Sequence, residues 1–292
     1  MKKIRTTVAV IAAVGTLVLA LSACQGQTEP TSQEEYDSNA SVVTSSSESE
    51  DSPALDETIS LEPFKHINIS VMATSIRLEV GDSYRVGYHL HDKEQIDQMG
   101  VSDGTFSLTT EKNITGKPGG GPWEVVVTVP KDAALERIDL YTAAGDLTLS
   151  DVTCMDGHIE TNGGTITLNN VSAQELELEA ISKDITVTDS TIQELSAETV
   201  SGKISANGVF DELDLETVSG TCDMTGTVKR EGDFSTVSGD LTVTTPAGAI
   251  EAESIGGVTI DGTDRGKKVE QPGGQPELDL ESTSGKITLN TK

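Results

Sequence analysis

Thr199-Val200-Ser201-Gly202, Thr217-Val218-Ser219-Gly220 and Thr236-Val237-Ser238-Gly239 repeat one phrase at intervals of 18 and 19 residues. A fixed period of this size marks stacked units, none of which can bury its apolar side alone. Aligned on the closing glycine, the series extends to Gly145, Gly164, Lys183, Gly202, Gly220, Gly239, Gly257 and Gly285, spaced 19, 19, 19, 18, 19, 18 and 28. The one long interval marks an insertion.

Five residues before these anchors stand Leu140, Ile159, Leu178, Ala197, Leu215, Phe234, Ala252 and Leu280. Two after them stand Leu147, Ile166, Ile185, Ile204, Cys222, Leu241, Thr259 and Ile287, and four after them Leu149, Leu168, Val187, Ala206, Met224, Val243, Asp261 and Leu289. Alternation at period two on both sides of the turn predicts two short strands per coil, each facing inward with every second residue. The fold class is therefore all-β, a β-solenoid of coils about 18–19 residues long. Its interior is built from aliphatic ladders, with glycine supplying a tight turn or a positive φ at the corner. Lys183 must turn differently or carry strain, and Thr259 and Asp261 break the ladders in the seventh copy.

Outward positions carry acids. Four before the anchor come Glu160, Glu179, Glu198, Glu216, Glu253 and Glu281, and six before it Asp139, Glu177, Asp214, Asp233, Glu251 and Asp279. With coils about 4.8 Å apart these become two neighbouring carboxylate columns. Like charges opposite one another destabilise a sheet, so the columns call for either hydrated, splayed side chains or a divalent cation bound between carboxylate oxygens. Glu160, Glu177, Glu179, Glu198, Asp214 and Glu216 are the candidate ligands. No EF-hand loop and no Gly-Gly-x-Gly-x-Asp repeat is present, and no other cofactor is expected.

The chain begins with Lys2, Lys3 and Arg5, followed by an apolar run from Val8 to Leu21 interrupted at Gly15 and Thr16. That is a secretory signal pattern over residues 1–23, too short for a membrane span. It closes on Leu21-Ser22-Ala23-Cys24, which resembles the lipobox of bacterial lipoproteins, so Cys24 is the expected lipidation site. Two or more acyl chains anchor stably. Residues 24–58, with Ser45-Ser46-Ser47-Glu48-Ser49-Glu50 at their heart, have the composition of a disordered acidic spacer. The expected location is extracytoplasmic, anchored by lipid to the cell membrane of a Gram-positive type of bacterium.

Removing the signal leaves 17 basic residues against 48 acidic ones, a formal charge of −31. Nucleic acid is excluded as a partner, because phosphate binding needs clustered Lys and Arg. Aromatic residues make up only 3% of the chain, with Trp123 its one tryptophan, in keeping with a solenoid interior of stacked aliphatics. Beyond Cys24, Cys154 and Cys222 fall in different phases of the repeat and coils apart, which predicts two buried thiols and no disulfide.

Upstream, Ile67-Asn68-Ile69, Ser75 to Val80, Tyr84 to Tyr88 and Thr105 to Leu108 read as strands of an irregular N-terminal β cap over 59–130, leading through Trp123 to Pro130 into regular repeats over 131–292. The Ile67-x-Ile69 strand, the Val127-Thr128-Val129-Pro130-Lys131 segment and the repeated T-x-S-G-x-I coils resemble a bacterial "putative adhesin" family, a β-strand-repeat domain of unknown function, over about residues 62–292. The resemblance implies a β-solenoid at the cell envelope, often membrane-linked and in some members beside envelope-stress systems. It supplies no catalytic motif.

A carbohydrate-active β-helix enzyme is the rival class, and Asp211 with Asp214, or Glu251 with Glu253, would be its acid and base. Repetition argues against it: catalytic pairs stand in unusual surroundings, whereas these acids recur coil after coil. His89-Leu90-His91 reads as a surface pair lacking a third ligand. Two loops are candidates for recognition. One runs from Asn113 to Pro122 ahead of Trp123, and the other from Asp264 to Pro276 with Arg265, Lys267 and Lys268. The expectation is a non-catalytic binding or adhesion protein whose ligand is an envelope protein, a polysaccharide or a host surface. The alternative is an accessory of an envelope-stress system.

Overall fold

The structure is a computed structural model, describing residues 55, 57–90, 95–110 and 123–291. Its strands in chain order are β1 (Glu57–Ser60), β2 (His66–Val71), β3 (Ser75–Gly81), β4 (Arg85–His89), β5 (Ile96–Ser102), β6 (Thr105–Thr110) and β7 (Glu124–Pro130). There follow β8 (Leu135–Thr142), β9 (Leu147–Ser150), β10 (Cys154–Thr161), β11 (Ile166–Asn169), β12 (Ser172–Ala180), β13 (Ile185–Thr199), β14 (Ile204–Thr217) and β15 (Cys222–Thr236). The last are β16 (Leu241–Thr244), β17 (Ala249–Ser254), β18 (Val258–Ile260), β19 (Thr263–Asp264), β20 (Lys268–Gln271), β21 (Glu277–Ser282) and β22 (Ile287–Asn290).

Each coil lays one strand in each of two parallel sheets. The first sheet runs β6, β2, β8, β10, β12 and then the C-terminal halves of β13, β14 and β15, ending in β21 and β17. The second runs β7, β3, β9, β11, the N-terminal halves of β13, β14 and β15, then β16, β22 and β18. The predicted inward ladders line both: Leu178, Leu215, Ile166, Ile185, Ile204, Cys222 and Leu241 are all fully buried. Cys154 and Cys222 are free, buried thiols, pushed up to about 12 chiefly by burial.

The ends of the stack depart from chain order. β2 and β3 lie second, enclosed by the later strands β6 and β7 on one side and β8 and β9 on the other. The other end mirrors this, because β21 and β22, last in the chain, insert between β15 and β16 and the outermost β17 and β18. Antiparallel strands then close the edges: β5 on β6 and β4 on β7 at one end, β20 on β17 and β19 on β18 at the other. Such covers remove the open hydrogen-bonding edge that parallel stacks would otherwise offer for aggregation. The long interval in the repeat is this second cover. The irregularity of the N-terminal region is one of connection, since four of its strands belong to regular coils. Phe64, stacked on Phe106 with centroids 5.5 Å apart and edge-on to Tyr84 at 4.8 Å, plugs that end of the core.

The corner glycines work by close approach. A Cβ on Gly202, Gly220 or Gly239 would stand 1.8, 1.7 or 1.5 Å from the carbonyl oxygen of the preceding coil's corner, while none of the three has a positive φ. The phrase's threonine is the other half of the device. Thr217 Oγ1 accepts from Gly220 N at 3.1 Å and donates to Gly202 O at 3.4 Å, and Thr142, Thr161, Thr199 and Thr236 repeat the pattern. Where Ala180 lacks the hydroxyl, Lys183 replaces the glycine and stays exposed. In the seventh copy the corner is one residue shorter. Gly256, not Gly257, takes the glycine's place, donating to Ser254 Oγ at 3.0 Å, so that Val258 and Ile260 enter the ladders in place of Thr259 and Asp261. Opposite corners turn on Asp151, Asn170 and Asp189, all at positive φ, a conformation that short polar side chains tolerate.

Candidate functional site: the acidic face

The outward side of the first sheet carries the predicted columns in register. One reads Tyr141, Glu160, Glu179, Glu198, Glu216, Ser235, Glu281, Glu253. Its neighbour reads Asp139, His158, Glu177, Ser196, Asp214, Asp233, Asp279, Glu251. All six candidate ligands therefore lie on one face, with Glu281 and Asp279 preceding Glu253 and Glu251 because of the exchanged end coils. A third column, Asp156, Glu175, Glu194, Glu212, Glu231 and Glu277, runs beside them. The sequence reading missed it, although period two from the second column points to it.

Cations offset the carboxylates at three places. Arg137 meets Asp139 at 2.8 Å and Asp156 at 3.0 Å, and Arg230 meets Glu212 at 2.8 Å. At the far end Lys268 reaches Glu270 at 3.1 Å, Glu253 at 3.4 Å and Glu251 at 3.7 Å. The basic cluster of the insertion thus divides: Lys268 is a counter-ion for the end coil, while Arg265 and Lys267 are exposed. Trp123 is half-buried at the start of β7, its carbonyl accepting from Ser75 N at 3.0 Å. The loop 113–122 and His91 lie outside the described residues, as do Cys24 and the signal segment.

Between those cations the charge is concentrated. Burial, reinforced by Glu216, Glu179 and Glu177, pushes the Glu198 carboxyl up to about 7. Burial likewise raises Glu179 and Glu216, and with Glu281, Asp233 and Glu251 it pushes Asp279 up to about 6. For Glu179, Glu198 and Asp279 carboxylates nearby on the face add to the effect of burial, each resisting the ionisation of the next. His158 sits among them, with Nδ1 3.0 Å from Glu177 Oε2 and Nε2 3.7 Å from Glu160 Oε2. Of the pairs considered as acid and base, Asp211 is held by Lys229 at 2.7 Å and Glu251 shares Lys268 with Glu253.

The outward side of the second sheet is different. Thr148, Thr167, Thr186, Ser205, Asp223, Thr242, Thr288 and Thr259 form one column. The column continues on β3 to Arg77, opposite Thr148 and 2.9 Å from Glu124; its other charged residue, Asp223, pairs with Lys203 at 2.6 Å.

The profile of the Toastrack DUF4097 family matches residues 64–290, which is the stack with both of its covers. The chain belongs to this family. Among solved structures the Toastrack domain is similar to one from Bacteroides fragilis named a putative adhesin, at 15% identity and a TM-score of 0.49 over 80% of this chain and 95% of that one. It is also similar to one from Parabacteroides distasonis named a putative lipid binding protein, at 16% identity and 0.49 over 82% and 97%. A third, named a putative cell adhesion protein, from Clostridium sporogenes, has 11% identity and a TM-score of 0.26 over 81% and 98%. No curated protein matches the chain.

Proposed function

We propose that the protein is a non-catalytic binding scaffold of the cell envelope, anchored through lipidated Cys24, whose acidic face captures a basic protein segment. The observation that carries this reading is the contrast between three carboxylate columns on the first sheet and the hydroxyl column of the second, in which Asp223, paired with Lys203, is the one carboxylate from β9 to β18. A rigid row of carboxylates about 4.8 Å apart raises the local concentration of cationic ligands and steers their approach. A basic segment of a membrane sensor would be such a ligand, and in that form the reading includes an accessory role in envelope-stress signalling. The spread of the acids over many coils suits avidity better than chemistry at one bond.

The full chain should bind a fluorescent oligolysine peptide with an affinity that falls steeply as salt rises. Glu198→Gln with Glu216→Gln and Glu281→Gln should weaken that binding more than tenfold, while Thr167→Val with Thr186→Val should leave it unchanged. Equal binding by the two variants overturns the proposal. For the anchor, Cys24→Ala should move the protein from the membrane fraction to the soluble fraction of bacterial cells.

A further inference from the structure

We propose that His158, Glu177 and Glu179 form a binding site for a divalent transition-metal ion of the zinc class. One ligand atom from each lies within 4.8 Å of the others. The sheet itself sets the spacing. His158 and Glu177 stand opposite each other on β10 and β12, and Glu179 follows two residues along the same outward side. Tetrahedral zinc, with bonds of about 2.0–2.2 Å, holds its ligand atoms roughly 3.4 Å apart. His158 Nδ1 and Glu177 Oε2, at 3.0 Å, are already near that separation. Closing the third contact takes a rotation of side chains that reach into solvent, with the backbone fixed by its ladder.

The ring is engaged on both sides. With Nδ1 directed at Glu177, Nε2 faces Glu160 Oε2 at 3.7 Å. A metal-bound histidine characteristically gives its other N–H to a carboxylate, which fixes the tautomer and strengthens the ligand, and Glu160 is placed for that role. A simple ion pair would occupy one ring nitrogen and one carboxylate, whereas here two nitrogens and three carboxylates converge. Elsewhere on the face Asp139 and Asp156 meet Arg137, Glu194 and Glu212 meet Arg230, and Glu251 and Glu253 meet Lys268. Among the described residues, the ion pairs of Glu160 and Glu177 are with His158. Bound zinc would bring two positive charges to this cluster of carboxylates. A ring nitrogen with few oxygens favours zinc over calcium, which takes six to eight oxygen ligands.

The inference does not depend on the capture of a basic segment, because it is tested with the metal alone. The full chain, free of any histidine tag and stripped with chelator, is titrated with Zn2+ by calorimetry near neutral pH. One saturable equivalent in the micromolar range or tighter is expected. His158→Gln should abolish it, Glu177→Gln should weaken it more than tenfold, and Glu160→Gln, acting through the ring, should weaken it by about tenfold. His66→Gln, whose ring pairs with Glu136 at 3.3 Å in another coil, should change nothing. Co2+ should give visible absorption bands that His158→Gln removes, in proteins whose circular dichroism spectra coincide. The proposal is overturned by no saturable heat up to about 1 mM Zn2+, by binding that survives His158→Gln, or by displacement of the zinc with an equal concentration of Ca2+.

Discussion

On four successive rungs the first sheet turns Glu160, Glu179, Glu198 and Glu216 outward, while the second turns out Thr148, Thr167, Thr186 and Ser205. The two faces share every coil, a common interior and the same glycine corner, and still one is a field of carboxylates and the other a row of hydroxyls. What the difference teaches is a division of labour. Inward residues and corners determine the solenoid, and outward columns are left to vary without disturbing it. The acids must therefore be explained by what they meet outside the chain, because the hydroxyl column shows that the fold does not require a carboxylate on every rung.

The strongest way to break that division is to attack the shared corner. Gly239→Ala would set a Cβ 1.5 Å from Gly220 O, so the backbone of two coils must move apart. Overpacking typically costs about 1–3 kcal/mol; here the clash is with backbone that cannot turn aside, so the loss should lie at or above the top of that range, and both faces should fail together in a denaturant melt. Gly274→Ala, with no atom within 4 Å of the new Cβ, should be nearly silent. Next in size is Thr217→Val, which leaves Gly220 N and Gly202 O without the hydroxyl that joins them. A loss of about 1–3 kcal/mol is expected, read from the shift in denaturant midpoint. If either change were harmless, the corner would not be what holds the coils in register.

Much of the fold was legible because it repeats. Each core ladder could be read by lining up Leu215 with Ala197 and Leu178, and alternation on either side of the turn placed the two sheets. The threonine of the phrase was also within reach, since period two places Thr217 inward beside Leu215, but a hydroxyl reads as a surface group until its partners are seen. The ends were not legible. Nothing local in β17 or β21 states which of them pairs with β15, because that choice is made by register and by the antiparallel covers. The slip at Gly256 was hidden for the same reason: an adjacent Gly257 satisfies the spacing equally well on paper. At the candidate site the two carboxylate columns were evident from period alone. His158 was not, because Glu177 and Glu179 reach it from the neighbouring coil and no short motif contains all of its partners.

A smaller effect sharpens the comparison of faces. Glu198→Gln removes a half-buried carboxyl that its surroundings already push up to about 7. Above neutral pH this variant should be more stable than the native chain by about 1 kcal/mol or less after solvent screening. Thr186→Val, at the equivalent depth on the hydroxyl face, should show no such dependence on pH.

The smallest effect tests whether repulsion within the columns extends beyond Glu198. Asp279 has an ordinary value of 3.8 and is pushed up to about 6, first by burial and then by Glu281, Asp233 and Glu251, with Lys268 acting in the opposite sense. A carboxyl raised by folding binds its proton more tightly in the native state than in the unfolded one. Its stabilising contribution is thus complete below about pH 4, is lost as pH rises through about 6, and is constant above that. Because Asp279 faces solvent, the loss should be no more than about 1 kcal/mol. Thermal melts at pH 5 and pH 8 should show the native chain losing stability over that interval and Asp279→Asn losing less of it. Lys268→Met, which removes the nearby positive charge without touching the column, should steepen the native slope. If all three proteins followed the same pH profile, the carboxylates would be acting as independent hydrated groups, and the contrast between the faces would be one of composition without electrostatic strain.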